Sequence, residues 1–182
     1  MSELTGSRSG AGWLAIGWGQ KEEGMADRDV IDALIATYRE LNQRFRPKLL
    51  ALNSGQDPRT NPDSAIGILY RLRNRELNAS QAIKEMLLSG ETSITDDEAD
   101  PLVTLQQTAL GLTATVLLSQ FGTAREATLA TVRDLPDEIW QQVFNTPRGQ
   151  MTLREYLQTL VERDRAVIQQ LEQHLAQASP SQ

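Results

Sequence analysis

The run Thr152-Leu-Arg-Glu-Tyr-Leu-Gln-Thr-Leu-Val-Glu-Arg-Asp-Arg-Ala-Val-Ile-Gln-Gln-Leu-Glu-Gln-His-Leu175 is helical by pattern. Leu153, Leu157, Leu160, Asp164, Ile168, Leu171 and Leu175 recur at steps of three and four, the spacing that lines one face of an α-helix. Thr152 and Glu155 make a capping box at its start. Upstream the same period returns. Ile31, Leu34, Tyr38, Leu41, Phe45, Leu49 and Leu52 form one stripe, with Asp27 or Asp29 as cap and Pro47 placed to kink the helix or end it at Arg46. After a loop from Asn53 to Asn61, Asn61-Pro62 reads as N-cap and first residue of a second helix that Gly90 stops. Its stripe is Ala65, Ile68, Leu69, Leu72, Glu76, Ala79, Ile83 and Met86 or Leu87. Pro101 to Ala124 carries no charge. Three Gln, five Thr and the lack of a basic flank argue against a membrane span there. The segment reads instead as a helix buried on most sides, central or at a subunit interface. Phe121-Gly122 reads as a break or kink, with Thr123 and Glu126 as a capping box restarting the helix through Val132. A short helix follows near 136–144 with Trp140 as a lid, then turn chemistry at Asn145-Thr146-Pro147-Arg148-Gly149. Strand signals are nearly absent. The expectation is an all-α four-helix bundle with one short extra helix.

The flanks differ from this core. Residues 1–24 hold six of the 12 Gly and two of the three Trp, without periodicity. They read as a disordered arm or a mis-called start. Lys21-Glu22-Glu23-Gly24 before Met25 would be encoded by purine-rich codons resembling a ribosome-binding sequence. The expected divisions are therefore 1–24 arm, 25–176 helical domain and 177–182 frayed tail. If the arm is real, its tryptophans suit a peripheral membrane or regulatory contact. Residues 91–100 hold five acids and read as a solvated loop, with Asp100-Pro101 capping the next helix. The string Asp97-Glu98-Ala99-Asp100 matches a helicase box only by accident, since no phosphate-binding Gly-rich loop with Lys accompanies it.

Composition narrows the chemistry. With no Cys among 182 residues, disulfides, thiolate nucleophiles and Cys-based metal sites are excluded. One His, His174, excludes sites that need two imidazoles, and its place near a helix C-terminus reads as surface or capping. A net charge of −6 and a pI near 4.9 argue against nucleic acid as partner. Two acids interrupt apolar stripes, Glu76 and Asp164. Buried carboxylates must be paired, hydrogen-bonded or neutralised. Arg71, Arg73, Arg75, Arg163 and Arg125 are the candidate partners. The favoured reading is a structural ion-pair network that fixes helix register; the other is a pair of carboxylates that binds metal or acts as acid and base.

Phe121-Gly-Thr-Ala-Arg-Glu-Ala-Thr-Leu, Leu135-Pro-Asp-Glu-Ile-Trp140, Thr152-Leu-Arg-Glu-Tyr-Leu and Leu160-Val-Glu-Arg-Asp-Arg165 together resemble the DinB (damage-inducible) superfamily. The resemblance implies an up-down-down-up four-helix bundle, usually dimeric, shared with thiol-dependent transferases such as maleylpyruvate isomerase. It also implies a Ni or Zn site with three His. The corresponding positions here are Arg71, Arg163 and Val167. A guanidinium has no lone pair to give and repels a cation, so no metal and no cofactor are expected. What the resemblance leaves is a pocket lined by Arg71, Arg163, Asp164 and Glu76, either filled by salt bridges or open to a small anion. The expectation is a cytoplasmic, homodimeric, small-ligand-binding or interaction protein without nucleic-acid or membrane partners. The alternative is a transferase or hydrolase in which Asp164 and Glu76 do the catalysis and Arg71 or Arg163 binds substrate charge.

Overall fold

In a computed structural model of the chain, residues 26–52, 58–102 and 112–177 are described. The expected arm at 1–24 and all but the first residue of the expected tail at 177–182 lie outside them. The described residues are mostly helical. In chain order they form α1 (Asp27–Glu40), a π-helical turn (Leu41–Phe45), α2 (Arg46–Ala51), α3 (Ala65–Ser89), α4 (Ala114–Val132), α5 (Asp137–Gln141), a hairpin of β1 (Val143–Thr146) and β2 (Gly149–Thr152), and α6 (Leu153–Gln177). The long helices pack side by side: α3 lies along α4 and also meets α6, and α1 lies along α6. Among the described residues no helix is long and apolar enough to cross a membrane.

Pro47 neither ends the first helix at Arg46 nor leaves it regular. Proline lacks an N–H, and its ring crowds the carbonyl one turn back. The wider π-helical turn just upstream, closed by the Arg46 N–H donating to the Leu41 carbonyl, takes up that misfit. Leu41, Phe45 and Leu49 thereby remain on one buried face. Helix α3 starts three residues later than Asn61-Pro62 suggests. Ser64 is the cap, its Oγ accepting from the Gly67 N–H at 3.0 Å, because residues 61–64 form a turn in which the Asn61 carbonyl accepts from Ser64 N and Oγ. The far end behaves as expected, with Gly90 in the left-handed region at φ 83°. No side chain caps α1, whose N-cap is Ala26. The capping box of α6 forms: the Thr152 N–H donates to Glu155 Oε2 at 2.7 Å, and the Glu155 N–H to Thr152 Oγ1 at 3.2 Å.

Two expectations are overturned. Gly122 does not break the helix; α4 runs through it, and Thr123 with Glu126 is helix interior. Gly122 instead admits Tyr38, since a Cβ there would lie 2.8 Å from the tyrosine ring. The short helix expected near 136–144 ends at Gln141, and Val143 and Phe144 begin instead a two-stranded hairpin around the expected turn, in which Val143 pairs with Thr152 and Thr146 with Gly149. Within the described residues α3 takes the central place, its Arg73, Asn74, Glu76, Asn78 and Ser80 buried along with its apolar stripe. Helix α4, in its described part, leaves Thr115, Val116, Ser119 and Thr123 exposed. It begins at Ala114 behind the Thr113 cap; residues 103–111 of the uncharged segment lie outside the described residues.

Two apolar clusters fill the interior. One gathers Leu41, Phe45, Leu69, Leu72, Phe121 and Leu171; the other gathers Val30, Leu34, Ile83, Leu129, Trp140 and Leu157. Along each long helix the residues between the two clusters are polar: Thr37 in α1, Glu76 in α3, Arg125 in α4 and Asp164 in α6.

Gly67→Ala is expected to destabilise the fold by about 2 kcal/mol, although alanine favours a helix by ~1 kcal/mol. The new Cβ would stand 2.2 Å from the Asn61 carbonyl oxygen, a backbone atom that cannot swing aside. Gly122→Ala should change stability by less than about 1 kcal/mol, because there the obstacle is the end of a tyrosine side chain. Urea denaturation of both variants checks the contrast.

Candidate functional site

Helix α6 carries Asp164 inward between Leu160 and Val167, and α3 carries Glu76 inward between Leu72 and Ala79. Both meet Arg125 of α4, which is fully buried. Its Nη1 donates to Asp164 Oδ2 at 2.8 Å and to the Leu34 carbonyl at 3.0 Å. Its Nη2 donates to Glu76 Oε2 at 2.7 Å and Asp164 Oδ1 at 3.2 Å. The other Glu76 oxygen accepts from Thr128 Oγ1 at 2.7 Å, and the Phe121 ring lies 4.9 Å from the guanidinium carbon. Burial works against the Arg125 charge, but the two carboxylates outweigh it and hold its pKa above the ordinary arginine range. Burial pushes the Asp164 carboxyl up, against the pull of Arg125. Glu76 and Asp164 are 2% and 3% exposed, so neither can meet a substrate without the helices separating. The ion-pair network favoured from sequence is what the geometry contains, and Arg125 is the partner that the list of five candidates left unresolved.

The acidic segment 91–100 is not a freely solvated loop; it is strapped across α3. Asn78 Nδ2 donates to the Asp97 and Ala99 carbonyls at 3.0 and 2.8 Å, and Asn74 Nδ2 to the Glu98 carbonyl at 2.8 Å. Arg73, fully buried, pairs with Asp100 at 2.6 Å, and the Tyr70 hydroxyl donates to the same carboxylate at 2.8 Å. Arg75 pairs with Glu98. At the strap's start, the Thr92 N–H donates to the Asn145 carbonyl and the Asn145 N–H to the Gly90 carbonyl, which tethers it to the hairpin. Asp97 then stands between Arg148, 2.8 Å away at the hairpin turn, and Arg163 of α6. Burial tends to raise the Asp97 carboxyl, but Arg163 and Arg148 hold it below the usual carboxylate range. Asp100 behaves likewise, with Arg73 foremost among the groups that lower it. A cleft of about 30 Å³ opens beside Asp97, lined by Arg148, Arg163, Tyr156, Thr92, Ile94 and Met151, among others.

The residues expected to share one pocket therefore occupy three places. Glu76 and Asp164 are together in the interior. Arg163 faces outward to Asp97. Arg71 sits in a surface groove with Asp63, Ile68, Gln170 and His174, 3.9 Å from Asp63. These positions do not fit a metal: Arg71 and Arg163 offer only donors, and Val167 is buried in the first apolar cluster. Among the described residues no group of three or more His, Asp or Glu converges. Sequence reading missed the strap. Its signal was nonetheless present, since Arg73, Asn74, Arg75 and Asn78 place a polar face on α3 just before five acids. No protein-family model matches the chain, and no curated protein or solved structure matches it either.

Arg125→Met should cost about 3–5 kcal/mol in urea denaturation at neutral pH, because it strands two buried carboxylates. Replacing Glu76 and Asp164 by leucine in the same chain should recover most of that loss. The strap has a pH signature. Asp97 and Asp100 have depressed folded pKa values, so their contribution is complete above the ordinary value of 3.8 and is lost as pH falls through the depressed ones. Amide exchange of residues 91–100 should stay slow, after correction for intrinsic rates, down to about pH 4 and accelerate only below it. Asp100→Asn should accelerate it at neutral pH.

Proposed function

We propose that this protein is a DinB-type up-down-down-up four-helix bundle without the metal centre, acting as a homodimeric cytoplasmic protein that binds a small ligand rather than as an enzyme. The observation that carries this reading is the Arg125 guanidinium seated between Glu76 and Asp164. A permanent positive charge there is already paired with both inward carboxylates, repels a divalent cation and engages the carboxylates at the place where a base would have to act. The same burial weighs against the transferase or hydrolase reading, which needs Asp164 and Glu76 in reach of substrate. The pattern of four long helical segments and the motifs between Phe121 and Arg165 support the lineage, and arginine or valine at the three positions where DinB proteins carry histidine supports the loss of the metal. The open outer face of α4, with Thr115, Val116, Ser119 and Thr123 exposed, is where the second subunit would pack.

Elemental analysis of protein purified without chelators is expected to find no stoichiometric Ni or Zn, and neither ion should raise the melting temperature. One equivalent of either metal, removed by chelator with loss of stability, would overturn the reading. Light scattering should return about twice the 20.2 kDa chain mass; a monomer at micromolar concentration would remove the dimer from it.

A further inference from the structure

The cleft beside Asp97 is chemically unlike the rest of the surface. Two guanidiniums face one carboxylate there, so the local balance is one positive charge in a protein of net charge −6. Each arginine spends one terminal nitrogen on Asp97. Among the described residues the remaining N–H groups of both forks have no acceptor, which leaves four of the five donors on each. Tyr156 adds a further donor. Burial raises its hydroxyl to about 12, so it stays protonated at neutral pH, and no hydrogen bond to it is formed within the described residues. Arg148 is fixed by the hairpin: its own N–H donates to Thr146 Oγ1 at 3.2 Å, and that hydroxyl donates to the Gly149 carbonyl at 2.7 Å. Arg163 is fixed by the rigid middle of α6. Ile94, Met151, Pro147 and Ala82 give the walls an apolar component.

We propose that this cleft is the ligand site, and that it takes the oxyanion group of a small organic acid or phosphate ester between Arg163, Arg148 and the Tyr156 hydroxyl, with Asp97 as the built-in competitor. The inference rests on the ligand-binding reading above and gives that reading a place and a ligand class. Asp97 is delivered to the two arginines by a strap whose backbone Asn78 holds. A carboxylate of the protein thus already shows the geometry in which an external carboxylate or phosphate is held. Because the cavity is only about 30 Å³, the charged head enters and the body of the ligand remains at the mouth, against Met151 and Pro147. An incoming anion shares the guanidiniums with Asp97 or displaces it, so occupancy loosens the strap from the hairpin.

Inorganic phosphate and butyrate serve as probes in calorimetric titrations of the full chain, with choline as the cationic control. Phosphate or butyrate should bind and choline should not. Butyrate alone would mark an organic acid as the ligand, and phosphate alone a phosphate ester. Arg163→Gln should weaken binding about tenfold or more, the loss expected for a charge-assisted contact. Tyr156→Phe, which removes a hydroxyl and leaves the fold intact, should weaken it by about threefold or more. Asp97→Asn should tighten it and speed amide exchange of residues 91–100. Anion affinity that is the same in all three variants, or tighter in Arg163→Gln, would overturn the proposal, as would the absence of binding to both wild type and Asp97→Asn. A neutral or cationic small molecule that stabilises the protein equally in every variant would sink this site while leaving the ligand-binding reading standing. Stoichiometric metal would do the reverse.

Discussion

One buried cation holds the interior in register. Arg125 lies where the two apolar clusters meet and touches α1, α3 and α6 from α4, through the Leu34 carbonyl, Glu76 and Asp164. Apolar packing alone tolerates a helix sliding by a turn, because leucine can replace leucine against the same wall. A bidentate pair at 2.8 and 3.2 Å does not, since a slip would leave charge without a partner at several kcal/mol. Thr37, Glu76, Arg125 and Asp164 are therefore the level at which the long helices are aligned, and the clusters above and below follow from it.

A second ionic layer fixes what lies on the outside of α3. The strap 91–100 contributes almost no apolar area, and its attachment is polar throughout: Asn74 and Asn78 hold its backbone, while Arg73, Arg75, Arg148 and Arg163 hold its carboxylates. Arg73 with Asp100 is sealed beneath the Tyr70 ring, 4.9 Å away. Asp97, by contrast, is at the edge, partly open to water. The strap is firm at one end and exchangeable at the other, an arrangement suited to a segment that yields to a competing anion without unfolding the protein.

Much of this was readable from the chain. The period-three-and-four stripes marked three of the long helical segments and the uncharged run from Pro101 the fourth, and the acids inside two of those stripes marked Glu76 and Asp164 as inward. Helix ends were legible where one residue decides them, as at Gly90 and in the Thr152–Glu155 box. They were not legible where a turn and a cap compete, and Ser64 took the role assigned to Asn61 because the turn before it uses the Asn61 carbonyl. Gly122 misled for a related reason: glycine signals a break only if nothing needs the space, and Tyr38 needs it. The hairpin at 143–152 escaped because two four-residue strands carry too short a pattern to register, and their pairing is closed by a turn that sequence reading saw only as a loop.

The sequence by itself determined the helical class, the absence of thiol and multi-histidine chemistry, and which carboxylates face inward, because each of these depends on residue identity or on spacing along one helix. Only the tertiary structure decided who pairs with them. Arg71, Arg73, Arg75, Arg125 and Arg163 are equivalent candidates in a linear chain, since a guanidinium's long side chain can reach in many directions. Packing of α4 against α1, α3 and α6 selects Arg125 for the interior, and the strap and hairpin select Arg163 for Asp97. The site that the sequence drew as one pocket is thus a sealed ion pair and an open cleft on different faces of the same helices.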